Sequence, residues 1–263
     1  MVDADVTSTV TAARLDLDLH EQWDALIDWL RSLDDDALAA PTPLPRWSVR
    51  DLVAHLALVM RVLARAEAAD PDVSGESGEH GESDESGESG APSAAGDVPR
   101  TLTFADYLAS YAGTSSDIRE RAIELAEHRD PIGSAESSGQ AALLTLRELR
   151  DEGVRLVRVH RGVVALDTLV LTRLVELVVH ADDLARSAAI PSPVDPTART
   201  IVATALLSVL RSRTGYDLQV GDEVTWLRLA TGRLPWSGRG RALRPGTLAE
   251  GLPDLSQALP LVR

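Results

Sequence analysis

A carboxylate and an imidazole stand four residues apart in the segment Glu176-Leu-Val-Val-His180. At 100° per residue the two side chains lie one turn apart on the same face of a helix, and Asp183 returns to that face. Nearly all of their neighbours are apolar, so this face is expected to point into protein. An ionised Glu is costly there unless a cation lies beside it. A divalent metal is the simplest such cation, and it needs at least one further ligand from elsewhere in the chain.

His55 is the candidate for that further ligand. It lies beside the apolar stripe of a second predicted helix, which includes Leu52 and Leu56, so it is expected to face the interior of a bundle. With Glu176 and His180 it would supply two imidazoles and one carboxylate and leave a position open. Catalytic zinc sites are arranged in this way, although Ni, Fe(II) or Mn can occupy a similar set. The alternative is a core histidine whose hydrogen bonds are satisfied by protein.

Two charged residues near this pair have open roles. Asp183 could hydrogen-bond to His180 or to a bound ligand and so orient it without contacting the metal, or it could be an ordinary acid on the helix surface. Arg173, three residues before Glu176, could neutralise charge near the site or form a salt bridge with no further role. The remaining histidines are not expected to be ligands: His20, His80, His128 and His160.

Composition limits the chemistry further. The 263 residues include no Cys, which excludes disulfides, thiolate ligands and a cysteine nucleophile. They include no Lys either, because all 26 basic residues are Arg, and this excludes Schiff-base and P-loop lysine chemistry. The net charge of −15 is concentrated in residues 70–98, which carry nine acids and no Arg, so that the rest carries −6. The sequence has no basic face with interleaved aromatic residues, so it does not predict nucleic-acid binding.

No targeting or membrane-spanning segment is predicted. Residues 1–11 lack a basic and an apolar region, and no apolar run reaches membrane-spanning length. A cytoplasmic protein is therefore expected, without nucleic-acid or membrane partners and either monomeric or a homodimer.

Apolar periodicity predicts a mainly helical chain. The predicted helices span Val10–Leu33, Ser48–Ala69, Phe104–His128, Gln140–Gly153, Leu166–Ala189 and Ala198–Arg213. The second helix has the clearest start, because Ser48 and Asp51 form a Ser-x-x-Asp capping box. The site-bearing helix is expected to begin at a cap formed by Asp167 or Thr168.

The connections have different characters. The Ser-Gly-Glu-rich segment at about 70–100 has almost nothing apolar to bury and predicts a disordered insertion, with an acidic interaction tail as the alternative. Residues 155–160 alternate and predict a short strand or an extended crossing. Near the end of the chain, 218–220 and 224–229 are expected to be strand-like or mixed.

Two runs of sequence carry a family resemblance. The run Pro45–His55 (PRWSVRDLVAH) and the later run Thr172–Leu184 (TRLVELVVHADDL) resemble the mycothiol-dependent maleylpyruvate isomerase family, which belongs to the DinB-like four-helix metalloproteins. Both runs occur in order and at the expected separation. Apart from the acidic insertion, the resemblance covers most of residues 10–190.

The resemblance implies a fold and a domain division. The fold would be a mainly α, DinB-like up-down four-helix bundle with a small α+β C-terminal domain, and the two parts would occupy residues 1–190 and 197–263. The runs 226–233 and 254–261 resemble the C-terminal region of relatives described as sterol-carrier-like. This chain is short between Arg213 and Glu223, where those relatives carry a longer sheet-forming stretch.

The resemblance also implies residue roles. His55, Glu176 and His180 would bind zinc, and Asp183 would lie near the site of the thiol cofactor, mycothiol. The family's catalytic Arg comes from its C-terminal domain, and Arg233 is the best match. Three other arginines lie nearby in the sequence: Arg239, Arg241 and Arg244.

The function expected from these observations is a metal-dependent isomerase or thiol transferase that uses mycothiol and acts on a small electrophile. The catalytic residues would be Arg233, which could hold a substrate carboxylate, and Asp183. One alternative is a non-catalytic binding protein with a structural metal and an apolar ligand in its C-terminal region. Another is a bundle that has lost its metal and serves as a structural or partner-binding module.

Overall fold

The computed structural model describes residues 10–69, 101–111, 115–188, 190–247 and 251–262. Over these residues the protein is mainly helical, with nine α-helices and five short strands. None of the described helices is long and apolar enough to cross a membrane. The predicted acidic insertion at about 70–100 lies outside the described residues, and so does His80.

Four long helices form the bundle. They are α1 (Ala12–Arg31), α3 (Val49–Ala64), α6 (Pro131–Asp151) and α7 (Leu166–Ser187), with the short α2 (Asp35–Ala39) between α1 and α3. Helices α1 and α3 each pack against both α6 and α7. The core between them is built mainly from Leu, Val and Ala. The mainly helical, DinB-like fold with a small α+β C-terminal region, predicted from the sequence, is thereby confirmed.

The start of α3 follows the predicted capping box. The Ser48 hydroxyl accepts the Asp51 N–H, and the Asp51 carboxylate accepts the Ser48 N–H. Two of the four N–H groups that a helix start leaves unsatisfied thus find partners. The predicted end at Ala69 is wrong. Helix α3 stops at Ala64, and Glu67–Ala68 (β1) is a strand.

A small antiparallel sheet leads into α7. Strand β2 (Leu156–Val159) pairs with β1 on one side and with β3 (Gly162–Ala165) on the other. Because β3 runs directly into α7, the expected cap at Asp167 or Thr168 is wrong. Ala165 is the residue before the helix, and no side chain caps it. The Leu166 N–H instead donates to the Arg155 carbonyl of the sheet segment at 2.8 Å.

The middle of the chain holds two further helices. The predicted run Phe104–His128 is divided into α4 (Phe104–Ala109) and α5 (Ser115–His128). Helix α6 begins nine residues earlier than predicted, at Pro131, with the Asp130 carboxylate as its cap. Helix α5 packs on α3, and α4 packs on α7.

The C-terminal part contains α8 (Pro196–Thr214), β4 (Leu218–Val220), α9 (Glu223–Ala230) and β5 (Leu243–Pro245). Strands β4 and β5 pair antiparallel, and α8 packs on α1 and α7. The expectation of a strand-like or mixed segment at 224–229 is wrong, because these residues form a helix. Asp222 caps a helix that buries Trp226, and the indole N–H of Trp226 donates to the Ala203 carbonyl at 2.9 Å. A division into two domains near residue 190 stays a prediction.

Candidate metal centre

The three predicted ligands converge from two helices. His55 comes from α3, and Glu176 and His180 come from α7. The Glu176 Oε2 atom lies 3.6 Å from the His55 Nε2 atom and 3.2 Å from the His180 Nε2 atom. One ligand atom from each residue lies within 4.8 Å of the other two. Ligands bound at about 2.1 Å in a tetrahedral site are about 3.4 Å apart, so the two shorter separations suit one shared ion.

The surroundings of the two imidazoles also suit a metal. The His180 Nδ1 atom lies 3.1 Å from the buried Asp183 carboxylate, which holds a proton on Nδ1 and makes Nε2 the atom that would bind a metal. Within the described part of the chain, the buried Nδ1 atom of His55 has no hydrogen-bond partner. An imidazole that is buried without this bond is poorly explained as a satisfied core histidine. The donor set of two imidazoles and one carboxylate fits a divalent metal ion.

Asp183 is anchored on its far side by Arg233. The Arg233 Nη2 atom donates to Asp183 Oδ2 at 2.7 Å, and Nε donates to the same carboxylate at 3.2 Å. Arg233 Nη1 donates to the Thr231 carbonyl at 2.8 Å. Asp183 is fully buried, so the surface-acid interpretation of this residue is wrong. Of the two roles that the sequence left open for Asp183, the structure favours the one behind His180. The pairing with Arg233 was not predicted.

Burial and charge act against each other at these groups. Burial raises the pKa of Glu176, but hydrogen bonds from His180 and His55 outweigh it and leave that pKa well below its ordinary value. For His180, burial lowers the pKa, but the hydrogen bonds to Asp183 and Glu176 raise it above the usual range. The pKa of His55 is lowered, chiefly by burial. The cluster therefore keeps an ionised carboxylate between two imidazoles, one of which favours the neutral form.

Arg173 lies within the same region but pairs with neutral groups. It is almost fully buried, and it donates to the Val59 carbonyl at 3.0 Å and to the Tyr111 hydroxyl at 2.9 Å. The Tyr107 hydroxyl is at 3.5 Å. Neither tyrosine was predicted from the sequence to lie near the site, although their four-residue spacing on a predicted helix indicates that they share a face.

A cavity of about 940 Å³ opens onto the cluster. Its lining includes His55, Glu176, His180 and Arg233. Trp47 also lines it, and the centroid of its ring lies 5.6 Å from that of the His55 ring. Its wall also carries five more arginines: Arg61, Arg65, Arg121, Arg161 and Arg173. Among the described residues that line it, Glu176 is the only acid. This cavity is therefore positively charged in a protein whose net charge is −15.

The other predicted candidates lie elsewhere. Arg239 stacks on the ring of Trp236, and Arg244 lies in β5; neither of these nor Arg241 is among the described residues that line the cavity. His20 is exposed and pairs with Asp24, and His128 contacts its own helix end. His160 lines the cavity, but it does not belong to the three-residue cluster. A groove of about 760 Å³ between α1 and α6 contains none of the predicted site residues.

Comparison with known families gave one match. A model of the family described as "Mycothiol maleylpyruvate isomerase N-terminal domain" matches residues 19–185. The match covers more than half of the chain, and it includes all three candidate ligands and Asp183 but not Arg233. Comparisons with curated proteins and with solved structures found no match.

Proposed function

The chain belongs to the family of mycothiol maleylpyruvate isomerase N-terminal domains, and from that premise we propose that it is a metal-dependent enzyme that uses a small thiol. The thiol is mycothiol by family, and the reaction is an isomerisation or a thiol transfer on a small electrophile. One observation carries the proposal. His55, Glu176 and His180 converge on one point in the wall of a cavity large enough for a thiol and a second molecule.

The number of protein ligands favours catalysis over a structural metal. Structural zinc sites are closed by four protein ligands, whereas catalytic sites use three and leave a position for solvent or substrate. Three donors converge here, and the cavity gives access to them. A zinc ion held by these residues would lower the pKa of a thiol and favour the reactive thiolate near neutral pH.

The residues around the cluster have proposed roles of their own. Asp183 accepts a hydrogen bond from His180 Nδ1–H and so favours the ring state in which Nε2 would bind the metal. Arg233 holds Asp183 in place, and its remaining N–H groups are the proposed contact for a substrate carboxylate. The arginines of the cavity wall favour an electrophile that carries negative charge.

Metal analysis of the purified protein tests the first step. We expect about one zinc per chain, lost in His55→Ala and kept in His20→Ala, which removes an exposed histidine outside the cluster. Less than about 0.2 metal per chain, unchanged by His55→Ala, would contradict the site.

Titration with the thiol tests the second step. When Co(II) replaces the native metal, addition of mycothiol is expected to change the visible absorption spectrum, because a sulfur ligand enters the coordination sphere. No change at saturating thiol would favour the alternative function, a non-catalytic binding protein whose metal is structural.

A further inference from the structure

The cavity beside the metal cluster has a second end, and arginines line it. His55 of α3 lies beside Glu176 of α7, and one turn beyond His55 the Val59 carbonyl accepts a hydrogen bond from Arg173. Because Arg173 precedes Glu176, the two helices run antiparallel here. Arg61 lies six residues beyond His55, which is about 9 Å along α3. The arginine end is therefore more than one helical turn away from the metal cluster.

Arg161 is held firmly at this end. Its Nη1 atom donates to the Ser110 carbonyl at 2.6 Å and contacts the Ser110 hydroxyl at 3.1 Å. Its guanidinium lies 5.0 Å from the centre of the Tyr111 ring and 5.9 Å from that of the Tyr107 ring. Arg173 contacts the hydroxyls of the same two tyrosines. The guanidinium of Arg161 is therefore oriented by protein contacts before any ligand binds.

One edge of the Arg161 guanidinium is available to a ligand. A guanidinium carries five N–H donors in a planar fork, and the hydrogen bonds of Arg161 use Nη1 alone. Its Nε and Nη2 atoms have no acceptor among the described residues, and no described acid forms an ion pair with it. Two neighbouring N–H groups of this kind bind both oxygens of a carboxylate, sulfonate or phosphate.

The other arginines of this wall lack acidic partners as well. Arg61, Arg65 and Arg121 form no ion pair within the described ranges of the chain. Arg61 Nε donates to a neutral group, the Ser138 hydroxyl, at 3.2 Å. Glu176 is the only acid among the described lining residues, and it lies at the metal end. Several positive charges without negative charges beside them attract an anion.

The wall between the two ends is apolar. Leu58 and Val62 follow His55 at spacings of three and four residues, so they share one face of α3, and both line the cavity. Val175 of α7 lines the cavity as well. A ligand that extends from the metal cluster to Arg161 is therefore favoured when an apolar body joins its two ends. A compact polar electrophile would fill the metal end alone.

We propose that Arg161 anchors an anion subsite that selects organic acids with an apolar body, and that Arg61 and Arg121 strengthen it by their charge. This inference rests on the proposed function, because an acid group bound at Arg161 would direct the other end of the electrophile toward the metal cluster. Arg233 serves the metal end, so the two arginines have different tasks. A carboxylate, a sulfonate or a phosphate ester supplies the required group.

The test uses two fluorescent dyes that share an aromatic body and differ in charge. Anilinonaphthalene sulfonate carries a sulfonate, and phenylnaphthylamine is the related neutral compound. Both are titrated into the full-length protein. Arg161→Met removes the bidentate donor and keeps an apolar stem, so it should weaken binding of the sulfonate dye by about tenfold or more. Binding of the neutral dye should change by less than about threefold.

The chain offers a matched control on the same hairpin. Arg158 is exposed on β2 and is not among the described residues that line the cavity, so Arg158→Met should change binding of either dye by less than about threefold. If Arg161→Met does not fold, Arg121→Met takes its place, because Arg121 is exposed on α5 and its loss should weaken binding of the sulfonate dye alone.

Competition identifies the kind of anion. Phenylbutyrate, a carboxylate on an apolar body, should displace the sulfonate dye, and inorganic phosphate at the same concentration should not. Displacement by phosphate alone would overturn the requirement for an apolar body. Equal weakening of both dyes in Arg161→Met, or no weakening of either, would overturn the anion subsite.

The outcomes separate this inference from the proposed function. If zinc is bound but Arg161→Met does not affect the sulfonate dye, the subsite fails and the metal site stands. If the protein binds no zinc but still discriminates between the dyes through Arg161, the proposed metal-dependent reaction fails. The anion subsite then remains, without the electrophile as its ligand.

Discussion

Helix α7 presents acidic residues to two regions of the molecule, and the partners of these residues differ between the two regions. Toward the C-terminal part, Asp182 pairs with Arg228 at 2.7 Å, and Asp183 pairs with Arg233 at 2.7 Å. Toward α3 and the cavity, Glu176 meets two imidazoles and no direct guanidinium partner among the described residues. In the first region, which we call closed, each carboxylate has an arginine partner, although Arg233 also reaches the wall of the cavity. The second region brings donor atoms together beside that cavity.

This difference corrects the reason for expecting a metal. From the sequence alone, a buried Glu176 was expected to need a cation beside it, and a metal was the simplest one. Arg173 is a buried cation one turn before Glu176 on the same helix, and the two charges interact, so charge balance alone does not require a metal. The stronger reasons are the convergence of three donor atoms beside a cavity and the family match.

The largest effect is expected from Glu176→Gln. The amide keeps the shape of the side chain but removes its negative charge, so stoichiometric zinc binding should be lost. This loss should exceed the roughly 100-fold weakening of metal affinity that follows when a residue hydrogen-bonded to a metal ligand is mutated. Asp182→Asn makes the same chemical change on the other face of α7 and should leave zinc content unchanged. Zinc retained in Glu176→Gln would mean that the two faces do not differ as described.

The buried pair of the closed region should show the next largest effect. Arg233→Met removes the guanidinium closest to the buried Asp183 and leaves the His180 imidazole and, at 3.9 Å, Arg186, so the free energy of unfolding is expected to fall by about 3 kcal/mol. Arg228→Met removes a more exposed partner, so its cost should be about 1 kcal/mol or less. Urea unfolding of the metal-free variants measures both values. Equal costs would contradict the ranking by burial.

The pH dependence of the metal-free protein tests the charge state of Asp183. Burial raises its pKa, but the hydrogen bond from His180 and the charge of Arg233 lower it to about 2, below the ordinary 3.8. A lowered pKa stabilises the folded protein above pH 3.8, and this contribution of about 2 kcal/mol is lost as the pH falls toward 2. Asp183→Asn should remove this part of the fall in unfolding free energy between pH 3.8 and about pH 2.

His180 should give the opposite pH dependence of the unfolding free energy. Its pKa is raised by Asp183 and Glu176 in spite of burial, so its contribution is present below pH 6.5 and is lost as the pH rises through the folded value. The free energy of unfolding in urea, measured between pH 2 and pH 9 on protein whose metal has been removed with a chelator, tests both pH dependences. A stability that is flat above pH 6.5 would contradict the raised pKa of His180.

The sequence predicted the cavity-facing region better than the closed one, for physical reasons. Periodicity and the Ser48 capping box are local signals, so they located α3, α7 and the faces that carry His55, Glu176 and His180. The partners Arg173–Tyr111 and Asp183–Arg233 join residues about 50 or more positions apart, and no local pattern specifies such pairs. The helix at 223–230 was missed because its Val-Thr-Trp segment resembles a strand while the tertiary contacts of Trp226 decide the outcome.

The smallest effect is expected from the cap that positions His55. Ser48→Ala removes the hydroxyl that accepts the Asp51 N–H at the start of α3, at an expected cost of about 1 kcal/mol of unfolding free energy. His55 lies two turns further along and is held by packing against the core, so zinc affinity should change by less than about threefold. Thr103→Ala removes the equivalent cap of α4 and serves as the control. A large loss of zinc affinity in Ser48→Ala alone would mean that the helix start, rather than the packed interior of the bundle, holds His55 in place.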